Sequence, residues 1–161
     1  MASRRDQITM TEAEVRAFLA SRWVGVLGTV GPDGLPHLVN VGYLLGGDDG
    51  REIVVSSFRA AQKIRNIERT GAASFLVEHA WPYDEVQGVM VSGPARIVDD
   101  LDTVIELTTR MRAQHAEMSG TPVGGGTPDM DIAKHARKRV VVHLEPARVR
   151  SWDHRRLGGT Y

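Results

Sequence analysis

Trp23-Val24-Gly25-Val26-Leu27-Gly28-Thr29-Val30 is followed by Gly31-Pro32-Asp33-Gly34 and then by Leu35-Pro36-His37-Leu38-Val39-Asn40-Val41. β-Branched and other apolar residues crowd both flanks, and the four residues between them are turn formers. The stretch therefore reads as an antiparallel hairpin, with a strand over 22–30 and a return strand over 35–45. Gly46-Gly47-Asp48-Asp49-Gly50 is the next turn, and Glu52 to Phe58 is a third strand. Ile53, Val54 and Val55 form an apolar run too short for its period to decide the assignment, so the flanking turns decide it.

Outward from this meander, Thr11 and Glu14 have the spacing of a capping box, which opens a helix running to about Ser21 with Val15, Phe18 and Leu19 as its buried stripe. On the other side, Arg59 to Thr70 is helical. Ala60, Ile64 and Ile67 fall on one side of the wheel, while Arg59, Gln62, Lys63, Asn66 and Arg69 fall on a cationic, amide-rich edge expected to face outward. Ala72 to Glu78 is a fourth strand and Glu85 to Val98 a long fifth, with a bulge or bend expected at Gly93-Pro94 because proline donates no ladder hydrogen bond. Asp99-Asp100 open a helix reaching Met118. Residues 119–131, with Gly124-Gly125-Gly126, form a long irregular segment of the kind that is functional or mobile. Lys138 to Leu144 is a sixth strand and 147–152 a short seventh. The expected fold is mainly β with inserted helices, a six- or seven-stranded antiparallel split β-barrel in a single domain over 1–161, with 1–9 and 154–161 as flexible tails.

Composition narrows the function. The 161 residues carry 20 Lys+Arg and 20 Asp+Glu, a formal charge of zero, and only 6% aromatic residues. A nucleic-acid binder normally shows a basic excess, and single-strand binders need stacking rings, so nucleic acid is not an expected partner. There is no cysteine, hence no disulfide framework, thiolate metal site or cysteine nucleophile. No run approaches the roughly 18 apolar residues of a membrane span, and the polar start Met1-Ala2-Ser3-Arg4-Arg5-Asp6 does not look like a secretory signal. The expectation is a cytoplasmic protein without membrane partners. None of the six histidines is three or four residues from another, so no metal site is expected. Met90-Val91-Ser92-Gly93 lacks the first glycine of a nucleophile elbow, and neither a Walker loop nor a GxGxxG fingerprint is present.

The richest chemistry lies in Ser56-Ser57-Phe58-Arg59-Ala60-Ala61-Gln62-Lys63-Ile64-Arg65-Asn66. A strand ends in two hydroxyls and runs into a helix whose first turns carry cations and amides. Helix N-termini attract anions through free N–H groups and the positive end of the dipole, so this corner suits a phosphomonoester. An ordinary basic surface helix is the alternative.

A resemblance favours the anion site. Val26-Leu27-Gly28-Thr29-Val30 with Gly31 to His37, the strand ending Ser56-Ser57, Gln62-Lys63-Ile64-Arg65-Asn66-Ile67, and Val89-Met90-Val91-Ser92-Gly93-Pro94-Ala95 occur in the order found in pyridoxamine 5′-phosphate oxidase-like split barrels. Arg139 to Pro146 with Ser151-Trp152-Asp153 also resembles their small actinobacterial-type members. The resemblance covers most of residues 10–153. It implies FMN or a deazaflavin coenzyme at a homodimer interface. Ser56, Ser57, Gln62 and Lys63, supported by Arg59 and Asn66, would hold the phosphate. Val39, Asn40 and Val41 would line the ring and ribityl chain through their backbone, and Gln87 would arrive from the other subunit. His37, Trp81, Tyr83 and Trp152 are candidates for a substrate pocket; no catalytic residue is assigned. Gln62 stands where the oxidase proper has arginine, and Val39 and Leu44 stand where it has basic residues. These departures point away from pyridoxamine-phosphate oxidation. The resemblance implies an oxidoreductase that transfers a hydride between the bound cofactor and a small conjugated organic substrate. The alternative is a non-catalytic flavin, tetrapyrrole or pyridoxal-phosphate binding or sensing protein of the same fold.

Overall fold

The computed structural model describes residues 3–120 and 132–158, so most of the glycine-rich segment expected over 119–131 lies outside the described residues. The helices are α1 (Arg4–Ile8), α2 (Glu12–Ala20), α3 (Gln62–Thr70), α4 (Leu101–Ser119) and α5 (Ile132–Ala136). The strands are β1 (Val24–Val30), β2 (Pro36–Gly42), β3 (Leu44–Gly46), β4 (Glu52–Phe58), β5 (Ala72–His79), β6 (Gln87–Val98), β7 (Arg139–Leu144) and β8 (Arg148–Asp153). They form one antiparallel sheet in the order β2-β1-β5-β6-β7-β4-β3, with β8 also on β6. The architecture is mainly β, a curled split barrel, as the sequence reading expects.

Three local differences have clear physical causes. The expected return strand over 35–45 is two strands, β2 and β3, because Tyr43 turns inward between them. Tyr43 is buried, its hydroxyl donates to the Leu19 carbonyl at 2.6 Å, and its ring meets Phe75 edge-on. Helix α3 begins at Gln62 rather than Arg59, because Phe58 to Ala61 close a turn in which the Ala61 N–H bonds the Phe58 carbonyl. Within the segments expected as tails, residues Arg4–Ile8 and His154–Leu157 are helical. Ser3 caps α1, and Arg156, in a 3-10 turn over His154–Leu157, donates to the Thr9 carbonyl and pairs with Glu14.

The bend in β6 falls at Gly93-Pro94. Residues Gln87 to Ser92 pair with β8, whereas Ala95 to Val98 pair with β7. At the corner the connection from β7 crosses so closely that a Cβ on Gly93 would lie 2.2 Å from the Glu145 carbonyl oxygen. The main core fills the barrel with Leu27, Phe75, Val77, Val89 and Val91 from one side and Ile53, Val55, Val140, Val142 and Leu144 from the other; Ile64 and Ile67 of α3 pack against it. A second cluster of Leu44, Val54, Val104, Leu107, Ala136 and Val141 lies beneath α4 and α5. β4 and β7 are therefore covered on both faces, which explains the unbroken runs Ile53-Val54-Val55 and Val140-Val141-Val142.

The outer face of β2-β1-β5-β6-β8 has no such cover. Register and alternation place Val26, Leu38, Leu76, Met90 and Trp152 on it, and Leu38 is 67% exposed.

Candidate functional site

Strand β4 delivers two adjacent hydroxyls to opposite faces. Ser57 points inward and is buried, while Ser56 lies on the other face, within 3.5 Å of the Arg139 guanidinium. Arg139 sits opposite Phe58 in the β4–β7 register and stacks over its ring with 4.2 Å between guanidinium carbon and centroid. The chain then turns through Arg59-Ala60-Ala61 into α3.

The start of α3 has no side-chain cap. The first N–H groups of a helix have no carbonyl behind them, so those of Gln62 and Lys63 open the helix as donors. Lys63 is half-buried. Partial burial, and then the nearby Arg139 charge, hold its ammonium pKa below the usual lysine value. Burial also lowers the pKa of Arg139. Neither cation has a carboxylate partner among the described residues. Two cations that disfavour each other, beside an uncapped helix start, suit an anion that neutralises both.

The expected outward edge of α3 needs one correction. Asn66 is 1% exposed. Its amide donates to Thr29 Oγ1 at 3.0 Å, and its carbonyl oxygen accepts from Gln62 Nε2 at 2.8 Å. Asn66 thus ties α3 to β1 and fixes the Gln62 side chain, and both of its functions are already used. Arg59 is likewise engaged, in an ion pair with Asp99. Ser56 and Ser57 end the strand that turns into Gln62 and Lys63; Arg139 lies beside both Ser56 and Lys63, and Thr29 is tied to the helix through Asn66, although the sequence reading gave neither a role. Their signal was available only as a lone arginine opening a strand and a threonine on an inward position.

β2 is the edge of the sheet, paired only with β1, so one side of its backbone is unpaired. Val39 and Val41 lean on the core and Asn40 is exposed. His37 stands across from Thr29 and is half-buried. The remaining candidates gather elsewhere. Gln87 lies between His79 and Asp153 and donates to the Asp153 carboxylate at 3.3 Å. Trp81 and Tyr83 are exposed on the preceding connection, with the Tyr83 ring edge-on to His154, and Trp152 covers Gly88. His79 is seven steps along β5 from Ala72, about 23 Å. Among the described residues no three His, Asp or Glu side chains are placed to hold a metal.

A model of the pyridoxamine 5′-phosphate oxidase family matches residues 11–153, and the chain belongs to that family. The conserved hypothetical protein Rv2991 from Mycobacterium tuberculosis is similar to it at 33% identity, over 99% of this chain and 95% of that one, with a TM-score of 0.77. Two more distant structures share the fold. An F420 reductase matches at 20% identity and TM-score 0.62, over 83% of this chain and 94% of that one. HutZ, a heme storage protein from Vibrio cholerae, matches at 20% identity and TM-score 0.59, over 86% and 92%. No helix among the described residues is long and apolar enough to cross a membrane.

Proposed function

We propose that this protein is an oxidoreductase that binds a flavin-type cofactor, FMN or a deazaflavin, with the cofactor phosphate at the β4–α3 corner, and that it works as a cytoplasmic homodimer. The observation that carries the reading is the pair of cations, Lys63 and Arg139, without carboxylate partners among the described residues, beside the uncapped start of α3. Lys63 and the first N–H groups of α3 bind the anion; Gln62, steadied by Asn66, supplies a neutral donor. Arg139, held over Phe58, balances the remaining charge. The unpaired edge of β2 at Val39, Asn40 and Val41 offers backbone donors and acceptors along the body of the cofactor. When bound, the cofactor supplies hydride transfer; the protein supplies position and exclusion of water.

The dimer reading rests on the uncovered outer face of β2-β1-β5-β6-β8, where Val26, Leu38, Leu76 and Met90 lie among polar residues such as Asn40, Ser74 and Arg150. A second copy seated there covers Leu38, Leu76 and Met90 and brings Gln87, Trp81, Tyr83 and Trp152 of one copy towards the corner of the other. The substrate is then a small conjugated molecule held between His37 and those rings. The test is mass spectrometry of the small molecule that copurifies with the chain, followed by titration of FMN and of reduced deazaflavin and a hydride-transfer assay over a panel of conjugated acceptors. Saturable binding with turnover supports the proposal. Saturable binding without turnover moves the protein to the storage or sensing class, and no binding of either cofactor overturns it.

A further inference from the structure

The barrel has a second opening at the far end of β4. α1 and α2 lie across a fissure between β3 and β8, and beneath them is a cavity of about 750 Å3. Binding pockets for small molecules run about 300–1,000 Å3, so the volume is that of a ligand site. Its floor is apolar, built from Met10, Val15, Leu19, Leu45, Val91 and Val149. Arg5, Arg16 and Arg51 line the cavity with Glu12 as the single carboxylate among its lining residues.

The charges on this rim are unevenly matched. Arg51 pairs with Glu12 at 3.2 Å and with Asp49 at 3.8 Å. Arg5 has Asp6 beside it. Arg16 reaches the same loop, but its guanidinium donates only to the Asp49 backbone carbonyl and has no carboxylate partner among the described residues. The cavity begins beside Gly50 and Arg51, ahead of β4, whereas the Lys63 corner follows Phe58 at its other end. Six steps of strand, about 20 Å, separate the two.

We propose that this fissure is a second ligand site, distinct from the α3 corner, which takes an amphipathic organic anion: an unbranched or aromatic apolar body on Val15, Leu19, Leu45 and Val149, with its carboxylate at Arg16. An apolar floor selects against a free inorganic anion, because a small hydrated ion gains nothing from that surface. The cationic rim selects against an amphiphile of the opposite charge.

The probe is decanoate, titrated calorimetrically into the full-length chain below its micellar concentration, with decyltrimethylammonium as the cationic counterpart. The expected result is saturable uptake of one decanoate per chain and no comparable uptake of decyltrimethylammonium. Arg16→Glu weakens decanoate at least about tenfold, as the removal of one charge-assisted hydrogen bond should. Val149→Trp, which fills the cavity from a position 41% exposed, abolishes uptake while leaving the melting temperature near that of the parent. Lys63→Ala leaves decanoate binding unchanged. Should Arg16→Glu fail to fold, Arg16→Gln reads the same interaction with a smaller effect. Non-saturable uptake, equal uptake of the two amphiphiles, an unchanged dissociation constant in the Arg16 variants, or abolished binding in Lys63→Ala overturns the proposal.

Discussion

Replacing Lys63 with alanine removes one of two cations at the β4–α3 corner; Lys63 is half-buried but belongs to neither hydrophobic core cluster. In the free protein this ammonium is disfavoured by burial and by Arg139, so its charge is poised for an anion rather than spent on a carboxylate. A hydrogen bond to a charged group contributes about 1.5–3 kcal/mol net. At about 1.4 kcal/mol per tenfold, Lys63→Ala should raise the dissociation constant for FMN, or for whichever deazaflavin binds, by about 10- to 150-fold. Loss of Lys63 also relieves the repulsion felt by Arg139, so Arg139→Ala and Lys63→Ala should combine non-additively. The pH dependence carries a definite sign. Anion binding favours charged Lys63, whose pKa in the free fold is depressed. Affinity is therefore full below that depressed pKa and falls as pH rises through it, starting at lower pH than an ordinary lysine would allow. The phosphate is already dianionic above about pH 7, so it does not mask the effect. The assay is a cofactor fluorescence titration between about pH 7 and 10.5, the range that brackets an ordinary lysine, beside a melting curve for each variant. An unchanged dissociation constant in a folded Lys63→Ala protein, or a pH slope that survives the substitution, refutes the reasoning.

Acid stability follows the C-terminal turn. Glu14 is held down to about 2 by the Thr11 backbone N–H, then by Arg156 and the Thr11 hydroxyl, and Asp153 is held low chiefly by Arg155. Both pKa values are depressed in the fold, so their stabilisation is present above the ordinary carboxylate range and lost as pH falls through the folded values. The melting temperature should drop from about pH 4.5 towards pH 2, and Glu14→Gln should flatten that limb. Asn66→Leu keeps the branched outline but strands the buried Thr29 hydroxyl and frees Gln62. A cost of about 1–3 kcal/mol is expected, read as a melting temperature several degrees lower; an unchanged value would show that the Gln62–Asn66–Thr29 chain contributes nothing. Leu38→Lys adds a charge to an exposed position on the uncovered sheet face and should leave the monomer fold intact while shifting a homodimer to monomer by light scattering. A parent chain that is itself monomeric would dispose of the dimer reading.

How far the sequence could be read depended on whether the signal was local. The hairpin over 23–41 is visible because its turn chemistry and apolar flanks are contiguous, and Thr11 with Glu14 forms the capping box that its spacing announces. The bend at Gly93-Pro94 was legible for a similar reason, although only the crossing of β7 explains why glycine is needed there. Tyr43 was not legible: an aromatic residue in a strand-like run gives no hint that it will leave the strand to reach the Leu19 carbonyl. Ser56, Ser57, Gln62 and Lys63 stand out in the sequence as candidates because they lie within one strand–helix junction. Arg139 is distant in sequence and becomes a neighbour of this junction only through β4–β7 pairing. No local pattern shows that the Arg59 side chain pairs with Asp99 or that Asn66 bonds Thr29 and Gln62, since those partners come from other elements or depend on the helix's seating.

The order of residues by itself determined the meander, its helices and the polar character of the junction after β4, because turn chemistry and hydrophobic period act over a few positions. Tertiary structure alone decided which of those polar side chains remain available and which oppose one another. Availability depends on desolvation and on partners contributed by strands far away in the chain, and no local pattern encodes either.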